Sequence, residues 1–325
     1  MPDALKPPAL RSGDAVRVVS LASPVDPASL DRGCAELERL GYVPKLDREA
    51  VLARDSFFAG PASRRLLALK EALAESDTKA IFCARGGYGS NYLLDDLLAF
   101  QPPAPKILLG YSDLTSLQIF LWQKLRWITF YGPMVASGFD AGAPAGYDRN
   151  SLCAALGQSA AGWSIDLQAD TLAPGTAEGV LLGGCLTLVE TALGTPWELD
   201  TAGAILVLED RGMRPYQVDR ALMHLKQAGK LRDVRAIIFG EFPECAALDA
   251  GETVREVVAR ILAPRAPHSA GVPIIFGAPL GHASRPMLTL PLGVRARLTA
   301  PASGGPNAGA DGETARLDIL EPAVT

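Results

Sequence analysis

Residues 106–122 read KILLGYSDLTSLQIFLW. Ile107 to Gly110 form a short unbroken apolar run, the pattern of a strand buried on both faces. From Asp113 onward the apolar positions Leu114, Leu117, Phe120 and Leu121 recur at helical spacing. The stretch therefore predicts a strand turning directly into a helix, with Ser112 on the corner between them. That is the unit from which a parallel α/β sheet is built.

The same alternation extends to both sides. AVRVVSLASP reads as a strand entering a loop, and SLDRGCAELERLG as a helix stopped by Gly41. ASRRLLALKEALAES reads as a helix, KAIFCARGGYG as a strand breaking into a Gly-rich loop, and SNYLLDDLLAF as a helix capped by Ser90 or Asn91. WITFYGPMV follows the opening stretch as another strand. Between about residues 137 and 175 the composition turns to Ala, Gly, Pro and Asp around one helical segment, RNSLCAALGQ. Downstream, GVLLGGCLTLVETALG reads as a short strand and helix, AILVLEDRG as a strand running into a polar loop, and YQVDRALMHLKQAGKL as a helix. VRAIIFGEF and VPIIFGAPLGHASR are strands on either side of the helix ETVREVVARILA, and MLTLPLG, VRARLTA and ARLDILE are closing β-segments. Residues 303–314, SGGPNAGADGET, have the composition of a flexible turn. The expected organisation is an α/β N-terminal domain over residues 1–140, a linker over 141–175 and a smaller C-terminal α/β domain over 176–325.

Composition narrows the function classes. The chain has 325 residues, 48% hydrophobic and 21% charged, ordinary for a folded globular protein. A net charge of −5 without a Lys or Arg block lacks the electrostatic footprint of a nucleic-acid binder, so a small molecule or peptide is the expected partner. Five cysteines are scattered without CxxC spacing, which argues against a zinc site and a disulfide framework. The N-terminal twenty residues have no basic segment leading into a long apolar one, and no later window approaches a membrane span, so the expectation is a cytoplasmic protein with no membrane partner.

In open parallel sheets reactive groups gather beyond the carboxyl ends of the strands. The polar groups there are Arg85 with Gly86, Gly87 and Gly89, then Ser112 with Asp113, Glu209 with Asp210 and Arg211, and His282. A serine on a tight strand-to-helix turn presents its hydroxyl beyond the sheet, and the amide after it can stabilise an oxyanion. The alternative is that Ser112 or Asp113 caps the helix. Of three histidines, His224 falls inside a helix, His268 in a loop before a strand, and His282 in the loop after an apolar strand, the best-placed general base. Glu209 ends an apolar strand. It could pair with Arg211 or Arg214, or it could hold the second imidazole nitrogen of a histidine. The loop ARGGYGS lacks both the P-loop ending and the Rossmann fingerprint spacing, which leaves a glycine-rich turn or a contact to substrate or oxyanion.

Five blocks in order, ARGGYGSNYLL, GYSDLTSLQ, LLGGCLTLVETALGTPW, ILVLEDRGMRPYQVDRAL and PLGHASRPMLTLPLG, resemble those of the LD-carboxypeptidase family of serine peptidases, which includes muramoyltetrapeptide carboxypeptidases and microcin C immunity peptidases. SGDAVRVVSLASPV and FFAGPASRR extend the resemblance. It implies a Rossmann-like parallel-sheet N-terminal domain carrying the nucleophile Ser112 and a C-terminal domain supplying His282 as base and Glu209 to orient it, with the active site between the domains. It also implies oxyanion donors at the amides of Asp113 and of Gly86 or Gly87, no metal or cofactor, and a homodimer. Arg85 is the candidate for binding the carboxylate of the leaving residue.

The family's usual Asn in the GGNL block is Cys185 here, and the residues after TPW are Glu198, Leu199 and Asp200. Cys185 as a nucleophile is disfavoured by its apolar setting. The implied reaction is hydrolysis of an L,D-peptide bond, releasing D-Ala from a murein tetrapeptide in cell-wall recycling. The alternatives are a microcin-type peptidase acting on aminoacyl-nucleotide analogues and a non-catalytic two-lobed binding protein in which Ser112 only caps a helix.

Overall fold

A computed structural model of the chain describes residues 4–157, 162–246, 251–262, 271–302 and 314–325. It divides into two compact units, one formed by Met1–Ala160, Arg285–Gly293 and Pro322–Thr325, the other by Ala161–Ser284 and Val294–Glu321.

The sheet of the first unit contains β1 (Ala15–Val19), β2 (Val43–Lys45), β3 (Ala80–Cys83), β4 (Ile107–Gly110) and β5 (Thr129–Tyr131). They lie in the order β5-β4-β3-β1-β2, all parallel. From β1 the chain goes outward to β2 on one side, then returns to build β3, β4 and β5 on the other. The strand order therefore reverses between β1 and β3, the position at whose carboxyl ends open α/β sheets bind ligands. Every residue of β3 and β4 is buried, as a sheet covered on both faces requires. Fully burying side chains such as Phe82 and Leu109 contributes about 1.5–3 kcal/mol each. A sixth strand, Leu290–Leu292, pairs antiparallel with β5, Leu290 opposite Tyr131.

The second unit's sheet contains β6 (Trp163–Asp166), β7 (Asp170–Ala173), β8 (Gly175–Cys185), β9 (Ala204–Glu209), β10 (Ala236–Gly240) and β11 (Ile274–Ala278). With Leu290–Leu292 as β12 in chain order, β13 (Arg295–Ala300) and β14 (Arg316–Ile319) complete it. The sheet order is β6-β14-β13-β8-β9-β10-β11-β7. Strands β8 to β11 are mutually parallel, while β13, β14 and β6 on one side and β7 on the other run antiparallel. Helices Leu186–Thr191, Pro215–Gln227 and Val254–Leu262 belong to this unit. The α/β class with closing β-segments holds.

The boundaries differ from those the sequence suggests. Residues 141–175 are not a bare linker: helix Arg149–Leu156 belongs to the first unit, and β6 and β7 are edge strands of the second sheet. The first unit runs past 140 to Ala160, and the 176–325 block is interrupted, because MLTLPLG supplies β12 to the first unit. A strand's own residues give its period but not its partner, which depends on where the chain returns. SNYLLDDLLAF also departs from expectation. It forms a 3-10 turn, Ser90–Leu93, followed by helix Leu94–Leu97, and neither has a side-chain cap. The Ser90 hydroxyl is engaged by Asp113 instead. The segment 303–314 lies outside the described residues except for Thr314.

Candidate active site

β4 ends at Gly110. Tyr111 is still extended, with φ −148°, and Ser112 then enters the left-handed region at φ +62°. A 3-10 turn, Ser112–Leu114, leads into helix Thr115–Leu125. For a residue with a Cβ this conformation costs about 1–2 kcal/mol. Such strain persists only where surrounding structure enforces it, and it concentrates at functional sites. Neither the turn nor the helix has a side-chain cap bond, so capping does not explain Ser112. The residue is half-buried at the carboxyl end of a central strand, in the corner that the sequence pattern indicates.

The Gly-rich loop after β3 lies against this corner. A Cβ on Gly86 would come 2.9 Å from Ser112 Cβ and 3.2 Å from its Oγ, so only glycine lets this backbone approach the serine so closely. Gly87, at φ +102°, leaves no room for a Cβ beside Ser23. Ser23, in the loop after β1, donates its N–H to the Gly86 carbonyl at 3.1 Å and accepts the Tyr88 N–H at 3.1 Å. Arg85 is exposed and donates to the Pro24 carbonyl at 2.7 Å, which ties the loops after β1 and β3 together. Ser112, Asp113, Gly86, Gly87 and Arg85 thus form one neighbourhood in the first unit.

Glu209 and His282 form another, in the second unit. Glu209 is the last residue of β9 and is completely buried. One carboxylate oxygen, Oε2, accepts the His282 backbone N–H at 3.0 Å and lies 2.9 Å from His282 Nδ1. An acceptor there places the imidazole proton on Nδ1 and leaves Nε2 able to take a proton. Two glycines make room for the carboxylate. A Cβ on Gly240, at the end of β10, would lie 2.6 Å from Glu209 Cβ, and one on Gly281 would lie 2.5 Å from Oε1. The structure gives Glu209 the histidine, while Arg211 pairs with Glu244 at 2.6 Å and the Arg214 backbone N–H donates to Gln217 Oε1 at 2.8 Å.

Burial by itself would lower the His282 pKa, but the hydrogen bond it donates to Glu209 and the charges of Glu209 and Asp210 outweigh it, and the net direction is upward. Asp210, which sequence reasoning noticed without assigning, accepts Thr187 N–H at 2.8 Å and Thr187 Oγ–H at 2.7 Å at the start of helix Leu186–Thr191. It thereby anchors the segment after β8 to the segment after β9. Burial, followed by the negative charges of Asp210 and Glu209, pushes the Cys185 thiol well up. A thiol held protonated in this way is a small apolar filler, not a nucleophile.

His224 is half-exposed and pairs with Glu190 at 2.6 Å on the surface of helix Pro215–Gln227. Substitution His224→Gln is therefore expected to leave kcat and KM within about twofold of wild type, since surface pairs contribute at most about 1 kcal/mol. Steady-state kinetics on the purified variant check this. His268 lies outside the described residues. Among the described residues no group of three or more His, Cys, Asp or Glu side chains could hold a metal ion, and no helix is long and apolar enough to cross a membrane.

A parallel sheet with a strained serine at a strand end, and a second sheet holding a carboxylate-bound histidine, define the equipment of a hydrolase. Comparison with known proteins gives the family. Residues 16–132 match the model of the LD-carboxypeptidase N-terminal domain, and residues 178–298 match that of the LD-carboxypeptidase C-terminal domain. The chain is 36% identical over 299 residues to a Bacillus subtilis (strain 168) protein named "Probable murein peptide carboxypeptidase", covering 90% of this chain and 91% of that one. Among solved structures it resembles a muramoyltetrapeptide carboxypeptidase from Oxalobacter formigenes, with TM-score 0.79, 27% identity and coverage of 94% and 99%. It shares the fold of MccF in complex with glutamyl sulfamoyl guanosine, with TM-score 0.85, 23% identity and coverage of 99% and 100%. The chain belongs to the LD-carboxypeptidase family, and it is an LD-carboxypeptidase-like enzyme.

Proposed function

We propose that the enzyme hydrolyses the L,D-peptide bond between meso-diaminopimelate and D-Ala in a murein tetrapeptide, releasing D-Ala in the cytoplasm for cell-wall recycling. The observation that carries this reading is Ser112 at φ +62° beyond β4, with Gly86 pressed against its side chain. A strained serine with a bare backbone beside it suits a nucleophile next to oxyanion donors. Ser112 Oγ attacks the scissile carbonyl, and His282 Nε2 takes its proton. The same nitrogen returns the proton to the departing D-Ala amine, then deprotonates the water that splits the acyl-enzyme. Glu209 holds the imidazolium that forms at each step. The amides of Asp113 and of Gly86 or Gly87 stabilise the oxyanion, and Arg85 is the candidate partner for the D-Ala carboxylate. The enzyme works as a homodimer on muropeptides, without nucleic-acid or membrane partners.

The names of the relatives favour a murein peptide over an aminoacyl-nucleotide analogue. The reading in which Ser112 merely caps a helix has no side-chain cap bond behind it. A fixed nucleophile with fixed oxyanion donors accepts one approach to the carbonyl, so inverting the acyl-side α-carbon drives its side chain into the wall or into water. A tetrapeptide ending in meso-diaminopimelyl-D-Ala is expected to lose D-Ala, and a pentapeptide ending in D-Ala-D-Ala to lose it at least about 100-fold more slowly. Mass measurement of the products, with aspartyl sulfamoyl adenosine as a third substrate, provides the check. Comparable cleavage of the pentapeptide would reject the LD assignment, and cleavage of the sulfamoyl compound alone would select the microcin-type reaction.

A further inference from the structure

The oxyanion role uses only the backbone of Asp113, yet its side chain is 1% exposed, an expensive place for a carboxylate. Its Oδ2 accepts the Ser90 N–H at 2.7 Å, and its backbone carbonyl accepts the Ser90 Oγ–H at 2.7 Å. Ser90 is the residue directly after the Gly-rich loop, and Asp113 is the residue directly after Ser112. The two segments therefore touch at both ends, Gly86 against Ser112 at one and Ser90 against Asp113 at the other. The loop's far side is held as well. Arg65, 2% exposed, donates to the carbonyls of Gly89 and Leu21 at 2.7 Å each and of Gly60 at 3.1 Å.

We infer that Asp113 is a positioning residue: its carboxylate and its backbone carbonyl each hold Ser90, a two-bond latch that keeps the Gly-rich loop at a set distance from Ser112. This inference rests on Ser112 being the nucleophile. Oxyanion donors lower a barrier only because they are in place before charge develops, and a displacement near 1 Å costs on the order of 100-fold in rate. Without the latch, the loop keeps the Ser23 bonds, the Arg85 bond to Pro24 and the Arg65 bond to Gly89, none of which is made to the Ser112 segment. Arg85, the candidate for binding the D-Ala carboxylate, keeps its own bond to the Pro24 carbonyl, so the loss falls mainly on kcat and little on KM.

The test compares wild type, Ser112→Ala, Asp113→Ala, Asp113→Asn and Ser90→Ala. Two readouts are used: kcat and KM on a tetrapeptide ending in meso-diaminopimelyl-D-Ala, and the rate at which a serine-directed fluorophosphonate labels Ser112. Circular dichroism fixes a temperature at which every variant is folded. Asp113→Ala is expected to lose about 100-fold in kcat and in labelling rate with KM within about threefold. Asp113→Asn keeps an oxygen that accepts the Ser90 N–H, so it should recover about tenfold of that loss, and Ser90→Ala, which loses the neutral hydroxyl–carbonyl bond and keeps the stronger bond to the carboxylate, should lose about tenfold. A purely structural role would lower the melting temperature without this kcat-selective loss or the Asn rescue.

If Asp113→Ala fails to fold, Ser90→Ala carries the test, and a kcat within about twofold of wild type overturns the latch. If Ser112→Ala stays active, the nucleophile assignment falls and the latch with it. If Ser112→Ala is dead while Asp113→Ala and Ser90→Ala match wild type, the latch alone falls. Should wild type leave the tetrapeptide intact, the substrate assignment fails and the labelling rates still decide the latch. Absence of labelling as well as turnover overturns both.

Discussion

Replacing Ser112 by alanine is expected to abolish turnover, with kcat falling on the order of 10⁶-fold, the cost of removing the nucleophile from a serine peptidase. The fold should survive, because the Ser112 side chain caps neither the turn nor the helix that follows. A glycine at the same position should be equally inactive yet more stable than the alanine variant. Ser112 sits at φ +62°, a conformation that strains any residue with a Cβ and that glycine adopts freely. The difference is about 1 kcal/mol, which for a chain of 325 residues is about 1–2 °C in melting temperature. Release of D-Ala measured by mass and thermal melts of the three proteins provide the check. A glycine variant that melts below the alanine variant would mean the backbone is not strained there. Substantial activity in either would remove Ser112 from the mechanism.

Glu209→Gln is expected to cost about 10⁴-fold in kcat, although it is isosteric and buried. Glu209 Oε2 receives both the backbone N–H and the Nδ1–H of His282. An amide can turn its NH₂ toward Nδ1, which puts the imidazole proton on Nε2, the nitrogen that must accept the serine proton. The pH profile carries a second signature. In the proposed mechanism neutral His282 is the base, so activity is expected to rise with pH through its pKa, and because that pKa is raised, the wild-type acid limb is expected above about 6.5. In the variant the raising influence of Glu209 is gone while burial still lowers the pKa, so the limb moves to more acid pH. Stability follows the same linkage. A raised histidine pKa stabilises the folded protein fully below the unfolded value of about 6.5, and the benefit disappears as pH rises through the folded value. Chemical denaturation across that window should show the loss in wild type and not in Glu209→Gln. Unchanged pH–rate profiles would detach Glu209 from His282 in catalysis.

The strand-to-helix corner at Ser112 was legible because an apolar run and a helical period meet there, and both signals are local. The ends of β3, β4 and β9 were legible for the same reason, and the histidine was chosen from only three. The sequence pattern makes Ser90 or Asn91 a helix cap, since a polar residue before LLDDLL carries that signal, whereas the Ser90 hydroxyl is engaged by a carbonyl 23 residues away. Gly240 and Gly281 gave no sign of making room for the Glu209 carboxylate, because what a missing Cβ avoids depends on tertiary packing. Strands β6 and β7 hid in a stretch rich in Ala, Gly and Pro. There, pairing with strands distant in sequence outweighs weak local preference. Leu290–Leu292 reads as a closing β-segment of the C-terminal stretch, whereas it pairs with β5 of the first unit, which no pattern within three residues reveals.

That edge strand bears on how the protein is made. Translation finishes β5 some 160 positions before it reaches the residues that pair with it, Leu290 with Tyr131 and Leu292 with Thr129. Throughout that interval the edge of β5 exposes hydrogen-bonding groups and apolar side chains that are buried in the mature protein. The first unit cannot complete itself as it leaves the ribosome, contrary to the usual order in which an N-terminal part folds first. Such a long closure is slow, and it leaves a nascent chain open to strand pairing with its neighbours. A fragment cut at the end of the N-terminal stretch would carry Ser112 and the Gly-rich loop yet lack the strand that covers this edge.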